Sequence, residues 1–293
     1  MHQLYHLPIS LLVGSLLSLG VAACGDDESG GGGSTSGGTP LPGDPANAQT
    51  FNHEYVALDE IPESCIDQIK SNVIFHYAHR SHGAQITTGA ESLEAGNPLY
   101  GFETGYLEIP DTTNVIRVWD GMSDSDLVEA DGYWATAAGL EDVRTILTNN
   151  PSIRYTSWAW SFEISSQTED SINRYLTAMS NLEQEFPDVT FIYMTGTAQD
   201  EYQGANRTAR NQQIRDYTQQ NGRILYDFED LDAWYNGDHN VKVIDGVEVP
   251  LEHPSWAASD ENGYNYTHTT QESCENKARA FWVMLAGLEG CVQ

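Results

Sequence analysis

Between residues 70 and 290 the chain alternates short apolar runs, rich in β-branched and aromatic residues, with longer stretches of helical periodicity. The strand-like runs are Val73–Tyr77, Asn114–Trp119, Ile153–Trp160, Val189–Thr195 and Ile224–Phe228. The spacing between them predicts a helix starting near Gly83 and others over about Tyr133–Leu147, Glu169–Phe186 and Asn206–Gln220. A last helix is predicted over about Glu275–Leu288, with Ala278, Phe281, Trp282 and Leu285 facing inward. Asn149-Asn150-Pro151, Pro187-Asp188 and Asn221-Gly222 close three of these helices. Such alternation with short connections predicts an α/β fold, a three-layer α/β/α sandwich around a five-stranded, mostly parallel sheet. Active sites in such sheets lie beyond the C-terminal ends of the strands. Ser81, Gly121, Trp160 to Glu163 and Gly196 all fall there.

The stretch from Ser71 to Gly83 reads as a strand, a sharp polar turn and a helix start. A serine at that junction has its backbone fixed by the sheet, helical N–H groups beside it and solvent in front. Ser81 is therefore a candidate nucleophile; the plainer alternative is a helix cap. His79 and His82 flank it, and Arg80 precedes it. Joined by His253 or Glu163, the two histidines would be the metal alternative, but histidines in turns usually just hydrogen-bond. No metal and no cofactor is expected. Arg80 would either bind an anionic group or pair with surface acids. Trp158, Trp160 and Trp256 would make a sugar platform, although two of them lie along a strand, where aromatic residues are more often core. The region Asp232–Tyr266 is irregular and reads as site-shaping, with Asp245-Gly246 suggesting a small hairpin.

With 13 basic residues against 43 acidic ones, the chain repels phosphate backbones, so nucleic acid is not an expected partner. Leu7 to Ala23 is an apolar run ending in small residues, which reads as an export signal over residues 1–23. Val21-Ala22-Ala23-Cys24 resembles a bacterial lipobox, which implies a lipid on Cys24 and attachment to a membrane of the bacterial cell envelope. One departure is that histidines, not Lys or Arg, precede the run. Residues 24–50 are rich in Gly, Ser and Pro and read as a flexible tether. The folded domain is expected over 51–293.

Three cysteines remain, in an oxidising compartment. Cys274 and Cys291 flank a helix roughly 20 Å long at 1.5 Å per residue, too far apart for a bridge. Cys65 precedes the first strand, and the last helix should return to that edge of the sheet. A Cys65–Cys291 disulfide is expected, with Cys274 free.

The chain resembles the SGNH (GDSL-like) hydrolase superfamily, and within it a divergent set of bacterial proteins. The resemblance rests on Phe75 to Gly83, Ser157 to Trp160, Phe186 to Gly196, Asn211 to Asp230, and His268 with Asn276 to Trp282. It implies a flavodoxin-like fold and an ester hydrolase. Ser81 matches the nucleophile, His268 the general base, and Gly121 an oxyanion-binding amide. The segment after the third strand normally adds an amide side chain to that hole, and Glu163 stands there. The usual acid three residues before the histidine is Asn265.

The chemistry implied is acyl transfer: an imidazole takes the serine proton, and fixed donors hold the oxyanion. An ionised Glu163 in that hole would oppose the developing charge. Three roles are open to it: a protonated acid, a side chain turned away, or the missing partner of His268. His79, Arg80, His82 and Trp160 are candidate substrate contacts. The expected substrate is an acyl or acetyl ester, small or borne on a glycan. The competing class is a surface lipoprotein that keeps the fold and binds without catalysis.

Overall fold

The computed structural model describes residues 49–122, 125, 127–257 and 268–291. The export signal, Cys24, nearly all of the tether and Asn265 lie outside the described residues. In chain order the elements are β1 (Gln49–Phe51), α1 (Glu63–Asn72), β2 (Ile74–His79), α2 (Ala84–Gly96), β3 (Phe102–Tyr106) and β4 (Ile116–Asp120). They continue with α3 (Ala137–Asn149), β5 (Tyr155–Ala159), α4 (Glu169–Glu185), β6 (Thr190–Met194), α5 (Gly204–Gln220), β7 (Ile224–Tyr226) and α6 (Phe228–Ala233). Two short ladders follow, β8 (Trp234–Tyr235) with β9 (Asp238–His239) and β10 (Val241–Ile244) with β11 (Val247–Pro250), before α7 (Gln271–Leu288).

Among the described residues the main sheet has seven strands, not five, in the order β1-β7-β6-β5-β2-β4-β3. Every pairing in it is parallel. The five expected strands are its interior and keep the order second-first-third-fourth-fifth. The additions are the two edges. β1 brings Gln49 and Thr50, which the sequence leaves in the tether, into register with β7. β3 extends the other edge beside β4.

The two faces of the sheet hold two apolar clusters, because side chains alternate along each strand. Phe75, Tyr77, Tyr155, Ile192 and Met194 pack with residues of α1, α2 and α7. Ile74, Ala78, Trp158, Phe191 and Tyr193 pack with residues of α3, α4 and α5. Helices therefore flank both faces. α5 is the polar exception. Arg207, Asn211 and Arg215, four apart, share one face of it. Arg215 reaches Asp227 at 2.7 Å and Glu229 at 2.9 Å, and Asn211 Oδ1 accepts the Gly196 N–H at 2.8 Å. The helix thus holds the turn after β6 by polar contacts.

α2 and α7 pack so closely that a Cβ on Gly89 would lie 2.0 Å from the Cys274 carbonyl oxygen. Cys65 in α1 and Cys291 beyond α7 form a disulfide, with Cα atoms 5.7 Å apart, and Cys274 is buried and takes no part in that bridge. Asp245 and Gly246, both with positive φ, turn the β10–β11 hairpin. Among the described residues no helix is long and apolar enough to cross a membrane.

Candidate active site

β2 and β5 are neighbours, and the connections after them leave in opposite directions along the sheet order. That is the switch point at which a doubly wound sheet opens a crevice. After β2 the chain enters a single 3₁₀ turn, Ser81–Gly83, that runs straight into α2. Gly83 is required there, since a Cβ would sit 2.4 Å from His79 Cβ and 3.0 Å from Ala159 Cβ. Tyr77 Oη donates to the Gly83 carbonyl at 3.0 Å, and His79 Nδ1 donates to the Arg80 carbonyl at 2.8 Å. The backbone around Ser81 is thereby clamped from both sides. Its hydroxyl caps neither the turn nor α2. The Oγ instead faces Ser161 Oγ at 3.4 Å.

Ser161 follows β5 and is fully buried. Its N–H donates to Glu163 Oε1 at 2.9 Å, folding that carboxylate back onto its own 3₁₀ turn. The other Glu163 oxygen is buried without a hydrogen-bond partner, and burial pushes the carboxyl pKa up. The carboxyl thus faces its own turn. Among the described residues Glu163 makes no hydrogen bond to His268.

His82, 6% exposed, is the centre of the cluster. Its Nδ1 lies 2.5 Å from Ser161 Oγ and its Nε2 3.0 Å from Gln199 Nε2. His268 stacks on the ring, centroids 4.5 Å apart and planes at 19°. Burial, helped by the neighbouring His268, Lys277 and Arg80, lowers the His82 pKa to about 3, so the ring is neutral. Gln199 and His268, which approach from separate loops, both have left-handed backbones, with φ of 45° and 63°. Backbone strain of this kind persists only where the surroundings enforce it.

Those surroundings are polar and buried. Lys277 on α7 pairs with Asp232 at 2.7 Å, and Asp232 accepts the Ala198 N–H at 3.0 Å. Glu252 donates its N–H to the Gln199 carbonyl at 2.9 Å and accepts the Thr269 hydroxyl at 3.0 Å. Burial, with Asp232 adding to it and Lys277 opposing it, raises the Glu252 pKa to about 7. The loops carrying Gln199 and His268 are thus tied to each other through Glu252.

Five expected residues are engaged with other protein groups. The Gly121 N–H donates to the Tyr77 carbonyl at 2.9 Å, continuing the ladder, and is spent as an oxyanion donor. His79 is buried, bonded to the Arg80 carbonyl and 3.0 Å from Asp120 Oδ1. Trp160 is fully buried among Trp134, Trp158 and Tyr175, because the strand's side-chain alternation continues one residue past its end. Arg80 pairs with Glu129 and lies over the Phe162 ring at 5.8 Å. His82 contacts protein groups rather than open solvent. Sequence reasoning missed Ser161 and Gln199. Ser161 had one usable signal, its place at the C-terminal end of the third predicted strand; Gln199 had none.

A serine that caps nothing, two stacked histidines and an amide, gathered at the end of a parallel sheet, are equipped to move a proton and stabilise an anion. No protein-family model matches the chain, and no curated protein does.

Proposed function

We propose that this chain is a serine ester hydrolase of SGNH type, cleaving an acyl or acetyl ester that is either small or carried on a glycan. The observation that carries the reading is the Ser81 hydroxyl, free of any capping duty at the switch point and beside the His82–His268 stack. The strand order of the five interior strands supports it. In this mechanism Ser81 Oγ attacks the ester carbonyl while His268 takes its proton. The same proton then goes to the leaving alkoxide, and water reverses the sequence on the acyl-enzyme. The N–H groups of Ser81 and His82 open the turn, where a helix leaves its first donors without an internal partner, and they serve the oxyanion. Leu127, Phe162 and Tyr202, 55%, 52% and 71% exposed, lie on the loops next to His79, Ser161 and Gln199. They offer an acyl group an apolar ledge. The cell-envelope location and the lipid anchor belong to this reading through the Cys24 motif alone.

The test is hydrolysis of p-nitrophenyl acetate and butyrate by the full chain. Ser81→Ala should abolish turnover with an unchanged melting temperature, and His268→Ala should lower it 100-fold or more, as about 10²–10⁴ rests on such a base. Turnover that survives Ser81→Ala removes Ser81 from the mechanism. A second reading, a binding protein on the same fold, is favoured by the engaged Gly121 N–H and by His268 making no hydrogen bond to Ser81 among the described residues. A folded chain inert toward all such esters supports it.

A further inference from the structure

The hydrogen bonds around His82 have a direction, and it leads to Ser81. Gln199 Nε2 is an amide nitrogen and only donates, so the His82 Nε2 that it meets at 3.0 Å is an acceptor and carries no hydrogen. A neutral ring has one N–H, which is then on Nδ1 and points at Ser161 Oγ. Ser161 Oγ accepts that bond, and its backbone N–H is taken by Glu163. Among the described residues, the partner left to the Ser161 hydroxyl hydrogen is Ser81 Oγ at 3.4 Å.

We infer that Ser161 is a further catalytic residue, a hydroxyl donor aimed at Ser81 Oγ by a Gln199–His82 relay. This rests on the ester-hydrolase reading above. A donor on Ser81 Oγ does two things. It leaves the Ser81 proton free to go to His268, since the oxygen accepts from one side while it donates on the other. It also stabilises the negative charge that builds on that oxygen as the proton departs. Ser161 keeps its own proton throughout. The Oγ–acyl bond forms, the ester C–O bond breaks, and the single transferred proton passes from Ser81 through His268 to the leaving oxygen. The buried position of Ser161 suits this task and excludes it as the nucleophile. The resemblance implies an amide side chain after the third strand at the anion; here the donor is the Ser161 hydroxyl, two residues before Glu163, and Glu163 holds the Ser161 backbone N–H.

The experiment is a time course of fluorophosphonate labelling on the full chain, with the modified peptide mapped. The wild type should label at Ser81. Ser161→Ala should label at Ser81 about 100-fold more slowly, the loss seen when one such donor is removed, with the far-ultraviolet circular dichroism unchanged. Ser161→Thr, which keeps the hydroxyl, should recover most of the rate. Gln199→Leu changes a side chain outside the core and keeps the test available if a Ser161 variant fails to fold; it should slow labelling about 10-fold by releasing the His82 tautomer. With p-nitrophenyl acetate the same variants should lower kcat and leave KM near the wild-type value. Ser81 labelling at wild-type rate in Ser161→Ala and Gln199→Leu overturns this inference and leaves the esterase reading standing. Labelling at Ser161 overturns the assigned direction of the relay. An unlabelled wild type overturns the esterase reading and this inference with it.

Discussion

His76 lies wholly inside the sheet, with Thr156 Oγ1 2.8 Å from Nδ1 and the Gly121 carbonyl 3.3 Å from Nε2. Burial lowers its pKa from 6.5 to about 4. The unfolded chain binds a proton near pH 6.5 and the folded chain only near 4. The stabilising effect of the neutral ring is therefore complete above 6.5 and is lost as the pH falls toward 4. At 1.36 kcal/mol per pKa unit the window holds ~3 kcal/mol. His76→Gln, followed by urea unfolding, should cost about 3 kcal/mol less at pH 4 than at pH 7; a pH-independent cost would contradict this account of the ring. At this scale the sequence was legible in position, as at Ser81, which stands just past the end of β2 where the strand pattern puts it. It was silent where a chemically louder residue sat beside a quieter one. Glu163 and Trp160 drew attention away from Ser161 between them, and no local pattern announces a serine whose partner is 80 residues away in the chain.

The elements were read well where their apolar period was strong and poorly where it was short or mixed. α4 was legible because Ile172, Leu176, Met179 and Leu182 keep helical spacing. β3, Phe102–Tyr106, was not, because an edge strand with one buried residue, a glutamate and a glycine has no alternation to see. β1 has three residues and owes its existence to pairing with β7. The hairpin at Asp245-Gly246 was legible from turn chemistry alone. α7 begins earlier than its apolar stripe, because Thr270 caps it by accepting the Ser273 N–H at 3.2 Å. The contact that no period reveals is Gly89 on α2 against the first turns of α7. Gly89→Ala forces a Cβ into the Cys274 carbonyl, and overpacking of this kind costs about 1–3 kcal/mol. The shift falls on the turns of α7 that follow His268. A lowered melting temperature together with slower phosphonate labelling is the expected result, and a variant indistinguishable from wild type in both would show that α2 and α7 have slack.

Over the whole molecule, one end of the sheet carries the candidate site and the other is fastened. The C-terminal ends of β2, β5 and β6 lead to Ser81, Ser161 and Gln199, and α7 starts three residues after His268. The opposite end is closed by Cys65–Cys291, which spans 226 residues of sequence. Closing a loop of that length removes roughly 5 kcal/mol of chain entropy from the unfolded state. Cys65→Ser with Cys291→Ser should therefore lower the unfolding free energy in guanidinium by about 2–5 kcal/mol, and an unchanged midpoint would show that the bridge constrains nothing the fold does not already hold. It should leave labelling at Ser81 intact, because the bridge is remote from the site. The pairing followed from topology, since a last helix that starts at one edge of the sheet returns to the other. The measurement closest to the central claim is peptide-mapped fluorophosphonate labelling of the full chain, wild type beside His268→Ala. Modification of Ser81 in the wild type and its loss in His268→Ala is the predicted result; a folded chain that stays unmodified, or that is modified elsewhere, contradicts it.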